Sequence, residues 1–279
     1  ASRGCKHLCR HCPIVPVYQG RFRVVDRDVV HEDIARQVAA GARHLTFGDP
    51  DFFNGPGHAI AIVRRLHEQF PDLTYDVTIK VEHLLRHAAH LATLRETGCL
   101  FVVTAVESFD DRVLALLDKG HTRRDFLEVV RLCRQAELVL TPTFVPFTPW
   151  TTLESYREML RVLVEQDLVA NVAPIQLGIR LLIPAGSRLL ELPETLEIVG
   201  QFDQAALSYR WEHPDPRMDR LSRDIQSLVK QADGRRAPRW EIFGEVWSLA
   251  HGAAASPPAL DPDRVDRAAI PYINEPWYC

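Results

Sequence analysis

Three cysteines within eight residues constrain this chain more than anything else in it. Residues 4–13 read GCKHLCRHCP, which places Cys5, Cys9 and Cys12 in the spacing C-x3-C-x2-C. Three soft donors on one short loop form a compact ligand set for zinc or for an iron–sulfur cluster. A zinc ion would need a fourth ligand, and His7 or His11 of the same loop could supply it. A four-iron cluster would instead keep one iron open to a substrate or cofactor.

Downstream, extended segments alternate with helical patterns. A helix is predicted over 31–40, ending at Gly41, and short strands over 44–47, 74–80, 100–106 and 138–144. Further helices are predicted over 58–69, 82–97, 110–117, 123–136 and 153–165, and a last apolar run covers 175–183. This rhythm builds parallel β-α units with right-handed crossovers, an α/β fold with five strands after the loop. It stops at Pro184. Beyond that point 189–202, 218–232 and 240–251 are predicted helical, 257–262 is a linker, and the last residue is Cys279.

Composition excludes several classes. At 279 residues and 46% hydrophobic the chain can bury a full core. A net charge of −4 without a basic stripe argues against a nucleic-acid partner. Besides the loop, Cys99, Cys133 and Cys279 are scattered, which fits a reducing cytoplasm and not a disulfide scaffold. No apolar run is long enough to span a bilayer and no signal peptide is evident, so no membrane partner is expected.

Barrel-like β-α proteins carry chemistry at the C-terminal ends of their strands, and those ends are unusual here. Gly48-Asp49-Pro50 follows the first of the five predicted strands, where a plain turn is the alternative. Lys80 and Glu82 leave the next strand together, and Glu82 could equally serve the dipole of the following helix. His83, His87 and His90 lie on one side of that helix and read as a solvated face. Glu107-Ser108 close an apolar run, where a carboxylate needs a partner. Residues 142–150 combine three prolines and three aromatics, a cavity wall or ordinary core. Arg180 is a lone charge in the last apolar run, either paired with a carboxylate or turned into the cavity.

The cysteine spacing and this order of strand ends resemble the radical S-adenosylmethionine (SAM) superfamily over roughly residues 4–183. The resemblance implies a partial (β/α)6 TIM-like barrel over 1–183, with 184–279 as a mostly helical extension whose tail covers the barrel mouth. It implies a [4Fe-4S] cluster held by Cys5, Cys9 and Cys12, with SAM on the open iron. His11 stands where the family has an aromatic against the SAM adenine. Gly48, Asp49 and Pro50 match the segment that meets the SAM amino group. Glu107 and Ser108, with 111–114 and 118–122 after them, resemble the SAM-contacting element of the methylthiotransferase- and coproporphyrinogen-oxidase-like branches. Lys80, Glu82 and Arg180 are further candidates for SAM or substrate.

The implied activity is reductive SAM cleavage to a 5′-deoxyadenosyl radical that abstracts hydrogen from a small-molecule substrate. The electron would come from a donor such as flavodoxin or ferredoxin. Two alternatives remain: transfer of a 3-amino-3-carboxypropyl group by cleavage of the other carbon–sulfur bond, and a non-enzymatic zinc or iron–sulfur protein. Only four residues precede Cys5, so the family's first strand is expected to be lost by truncation. Glu275-Pro276 loosely match a radical SAM group with a Cys-Cys-Ala-Glu-Pro tail, and Cys279 is the candidate catalytic residue that such a tail would bring to the mouth.

Overall fold

The computed structural model describes residues 1–252. Its centre is a parallel sheet of β3 (His44–Thr46), β4 (Thr74–Thr78), β5 (Cys99–Glu107) and β6 (Val139–Phe144), in that spatial order. The crossovers are α3 (Pro56–Gln69), α4 (Val81–Arg86) with α5 (Leu91–Glu96), and α6 (Asp111–Leu116) with α7 (Arg123–Gln135); α8 (Leu153–Glu165) follows β6. Reciprocal capping boxes start two of them, Thr122 with Asp125 at α7 and Thr152 with Ser155 at α8.

Sheets of this kind normally have both faces covered, yet here the two faces differ. Toward the helices, Tyr75, Val77, Val102, Val106, Leu140 and Phe144 are buried. On the other face, the aligned residues Thr78, Val103 and Thr141 keep partial access to solvent, as do Ala105 and Thr143. Thr46 on the same face is exposed, and its hydroxyl donates to Asp76 at 2.7 Å. That face is therefore partly open to solvent, with threonines on β3, β4 and β6 and apolar residues on β5.

Several local expectations are corrected. The run 175–183 does not form a full strand. Pro174 opens a 3-10 turn over Pro174–Leu177, and only Arg180 forms a parallel bridge, to Phe147. The helix expected over 82–97 is broken by a 3-10 turn at Ala88–His90, which lets Leu84, Leu91 and Leu94 all reach the core. The helix expected over 189–202 is absent. Pro193 biases Leu192 to an extended conformation, α9 (Pro193–Leu196) is one turn, and β7 (Val199–Asp203) pairs antiparallel with β8 (Ser208–Trp211).

The predicted helices near the end exist as α10 (Pro216–Gly234) and α11 (Arg239–His251). Ile225, Phe243 and Val246 join the same core cluster as the sheet. At the other end, β1 (Ser2–Gly4) does not extend the parallel sheet; it pairs antiparallel with β2 (Phe22–Val24). Between β1 and β2 lies the single turn α1 (Val15–Tyr18), and α2 (Arg27–Ala39) leads into β3. The linker at 257–262 and the tail with Cys279 lie outside the described residues. Among the described residues, no helix is long and apolar enough to cross a membrane.

Candidate active site

The cysteine loop leaves β1 through Gly4. There φ is +78°, and a Cβ would lie 2.2 Å from the carbonyl oxygen of Arg21, so only glycine fits. The loop is fastened on three sides. The Lys6 amide donates to Asn54 Oδ1 at 3.2 Å, and the Arg10 amide to the Leu117 carbonyl at 2.9 Å. From the C-terminal segment, the Ser187 hydroxyl donates to the Arg10 carbonyl at 3.0 Å and the Arg188 guanidinium to the Leu8 carbonyl at 2.7 Å. Backbone and side chains distant in sequence thus preset the loop. Cys9 is buried, while Cys5 and Cys12 are half-buried.

Charged side chains from the strand ends converge on it. Lys80, two residues after β4 and at the N-cap of α4, donates to Cys9 Sγ at 3.7 Å and sits 3.7 Å from Glu82. Glu107, the last residue of β5, accepts from His11 Nε2 and from Lys119 Nζ, each at 3.1 Å. Its φ is +69°, left-handed for a non-glycine residue, at a register shift between Ala105 and Glu107. Strain of this kind costs about 1–2 kcal/mol and persists where the surroundings enforce it. Burial alone would raise the Glu107 carboxyl, but Lys119 and then His11 outweigh it and hold it far below the usual range. Burial likewise opposes the Lys119 charge, and Glu107 outweighs it, so that pKa rises. Both partners are therefore ionised. Burial pushes the Cys5 and Cys12 thiols up, and the Lys119 charge works the other way at Cys12.

Asp49 is buried and accepts from the Ser2 hydroxyl and, at 2.8 Å, from the Ala1 amino group. Gly48 and Pro50 are exposed beside it, and a Cβ on Gly48 would meet nothing within 4 Å. The Ser108 hydroxyl accepts from the Asp110 amide at 3.0 Å, at the start of α6. Arg180 is not part of this group. It pairs with Asp219, donates to the Trp211 carbonyl at 2.7 Å and stacks on the Trp211 ring at 3.5 Å. Phe144 and Phe147 of the proline-aromatic stretch are core residues, against Phe109 and Tyr156 respectively. The histidine stripe is not a solvated face. His83 is buried, and His87 and His90 stand edge-on to Phe53.

The model of the Radical SAM superfamily matches residues 1–163. The chain belongs to the radical SAM superfamily. A similar curated protein is the tRNA-2-methylthio-N(6)-dimethylallyladenosine synthase of Prosthecochloris aestuarii, 25% identical over 140 residues, which are 48% of this chain and 32% of that protein. The chain thus spans about a third of that relative's length. Among solved structures, the cobalamin-dependent radical SAM enzyme OxsB, with aqua-cobalamin and SAM bound, superposes with a TM-score of 0.70 at 16% identity. That match covers 84% of this chain and 41% of that one. The radical SAM methyltransferase TsrM from Kitasatospora setae, with cobalamin and a [4Fe-4S] cluster bound, gives 0.54 at 17% identity, covering 91% and 61%.

This radical SAM chain is an enzyme, and its cofactors are a [4Fe-4S] cluster and SAM. The residues present fit both. Three thiols share one loop, and two ammonium groups border the space where thiolate ligands would gather negative charge. Among the described residues, Gly48 leaves its surroundings clear for a close approach, and the buried Nδ1 of His11 has no hydrogen-bond partner. Lys119 and Asp51 escaped the sequence reading as site residues. Lys119 lies in the stretch 118–122 that carried the family likeness, whereas Asp51 followed a turn with no pattern to mark it.

Proposed function

We propose that this enzyme cleaves SAM reductively and uses the fragment to take hydrogen from a small-molecule substrate. The observation that carries the reading is the prefastened loop of Cys5, Cys9 and Cys12, held where Lys80 and Glu107 leave the C-terminal ends of β4 and β5. When bound, the cluster supplies an electron, from a donor such as flavodoxin or ferredoxin, that splits SAM into methionine and a 5′-deoxyadenosyl radical.

The chain's own residues bind and orient. Cys5, Cys9 and Cys12 ligate, and Lys80 and Lys119 balance the ligand charge. Gly48 and Pro50 offer backbone to the SAM amino group, and Asp49 fixes that turn through Ser2. Glu107 orients His11, whose free Nδ1 can accept from the adenine amino group. Ser108 and Glu82 border the same space as ribose and substrate contacts. Arg180 serves from a distance by holding together the wall built from the Phe147 bridge, α10 and β8. Residues 1–183 carry this chemistry, and the segment after Pro184 helps to hold the cysteine loop through Ser187 and Arg188. The buried, unbridged thiols Cys99 and Cys133 suit a cytoplasmic setting.

The test is anaerobic reconstitution with iron and sulfide, reduction, addition of SAM, and identification of the nucleoside released. 5′-Deoxyadenosine that disappears in Cys9→Ala supports the reading. Methylthioadenosine would replace it with 3-amino-3-carboxypropyl transfer, and intact SAM with zinc in the loop would remove it. A relative named as a tRNA-modifying enzyme makes RNA the competing substrate class. 5′-Deoxyadenosine release stimulated by bulk tRNA and not by small-molecule extracts would overturn the small-molecule part.

A further inference from the structure

The cysteine loop contributes a second histidine that the cluster does not use. His7 lies between Cys5 and Cys9 in sequence, but its ring turns toward the start of α4 and the turn after β3. There its Nε2 is 3.3 Å from His83 Nε2 and 3.8 Å from Asp51 Oδ2. One donor atom from each of His7, Asp51 and His83 lies within 4.8 Å of the others. Bonds of about 2.0–2.1 Å to an ion place tetrahedral neighbours roughly 3.3 Å apart, so the imidazole pair is already at ligand spacing.

The surroundings make this more than a chance cluster. Asp51 is wholly buried, and its Oδ1 is used by the Phe53 amide at 3.2 Å. Its Oδ2 faces His83 Nδ1 at 2.7 Å, yet among the described residues neither atom has a hydrogen-bond partner of acceptable geometry. A buried carboxylate oxygen left this way carries a large desolvation cost unless a cation meets it. Outside the trio, Glu82 Oε2 stands 3.7 Å from His7 Nδ1, where an outer carboxylate can orient a metal-bound imidazole. His7 is the most accessible of the three, so positions remain open on its side.

We propose that His7, Asp51 and His83 form a second metal site, separate from the cluster, that takes one borderline divalent ion such as zinc. Two imidazoles and one carboxylate are the donors that suit such ions. The open positions accept water or an anionic or amine group of the substrate. The site does not depend on which SAM bond is cleaved.

The test loads the cluster anaerobically, removes loose metal with a chelator, adds one equivalent of zinc, and re-isolates the protein. Zinc, iron and sulfide are counted, and zinc-edge X-ray absorption gives the ligand atoms. About one zinc per chain should be retained with only nitrogen and oxygen neighbours. His83→Gln and Asp51→Asn should weaken zinc binding beyond the ~10–100-fold typical of outer-shell changes, with iron and sulfide unchanged. Sulfur neighbours, no retained zinc, or equal retention in both variants would overturn the site and leave the trio as a brace between loop and helix. The absorption spectrum of the unsubstituted protein decides even if a variant fails to fold. Failure here leaves the nucleoside assay unaffected, so the two proposals fall separately.

Discussion

Two charge pairs, Glu107–Lys119 and Arg180–Asp219, show how differently this chain treats its ions. The first is almost wholly buried, with side chains 9% and 4% exposed, and borders the cysteine loop through His11. The second is 27% and 15% exposed and joins the bridge at Arg180 to α10 and the β7–β8 hairpin. Glu107 sits in a left-handed conformation at a strand irregularity, whereas no positive φ occurs at Arg180 or Asp219. Asp219 also accepts from the His213 amide at 3.0 Å, an ordinary way to pin a helix start. The buried pair is costly to keep and stands beside the cysteine loop, while the partly exposed pair fastens two parts of a wall.

The sharpest break between the regions comes from the ligands. Cys9→Ala should abolish cluster loading and SAM cleavage together, because three donors cannot become two and still hold the iron. Iron and sulfide analysis after anaerobic reconstitution checks this, and a circular dichroism spectrum like the parent's would show that the fold survives. Full iron content in the variant would refute the assignment of the loop.

Next in size is the buried pair. Removing one partner leaves the other charged, buried and alone, which costs on the order of 3–5 kcal/mol. Lys119→Met should lower the unfolding free energy of the apo protein by that amount, read as a lower urea midpoint at unchanged slope. The double change Glu107→Gln with Lys119→Met should recover part of the loss. If Lys119→Met were harmless, the strain at Glu107 would have some other source of support.

The third effect depends on pH. His121 is buried near Lys119, and among the described residues neither ring nitrogen has a hydrogen-bond partner of good geometry. Burial, then the Lys119 and Lys80 charges, depress its pKa to about 4. In the unfolded chain it titrates near ~6.5, so between those values the unfolded state binds more protons. Stability from the neutral ring is then complete above pH ~6.5 and is lost progressively as the pH falls toward 4. The loss should be on the order of 2–3 kcal/mol at ~1.4 kcal/mol per pKa unit. Urea titrations at pH 7 and pH 4.5 should differ less in His121→Gln than in the parent. An equal difference would assign the acid sensitivity to other groups such as His7, whose pKa is also lowered to about 4.

What the sequence disclosed follows from how local each signal is. The cysteine spacing and the alternation of strands with amphipathic helices are periodic or contiguous, and the four sheet strands appear where that rhythm puts them. Glu107 was visible because a carboxylate ending an apolar run needs a partner, although its partners, 12 and 96 residues away, were not. His83 was read as solvated because helical spacing says which residues share a face, not what that face meets. Asp51 and His7 approach it from two other segments. The β7–β8 hairpin was missed for a different reason: Leu189, Leu192, Leu196 and Val199 mimic a helical stripe that Pro193 interrupts.

The smallest effect separates the two pairs most cleanly. Arg180 has a carboxylate, a carbonyl and an indole face as partners, so its charge is well met but partly wet. Solvent screening leaves such a pair worth about 1 kcal/mol, to which stacking on Trp211 adds a comparable amount. Arg180→Ala should therefore lower stability by roughly 1–2 kcal/mol, with iron content and SAM affinity unchanged. Arg180→Lys should recover part of the ionic share but not the stacking, because an ammonium lacks the planar fork. Equilibrium binding of SAM to the cluster-loaded variants is the deciding measurement. A tenfold or larger loss of SAM affinity in Arg180→Ala, with Arg180→Lys intermediate, would move Arg180 from the wall to the cofactor and erase the contrast between the two pairs.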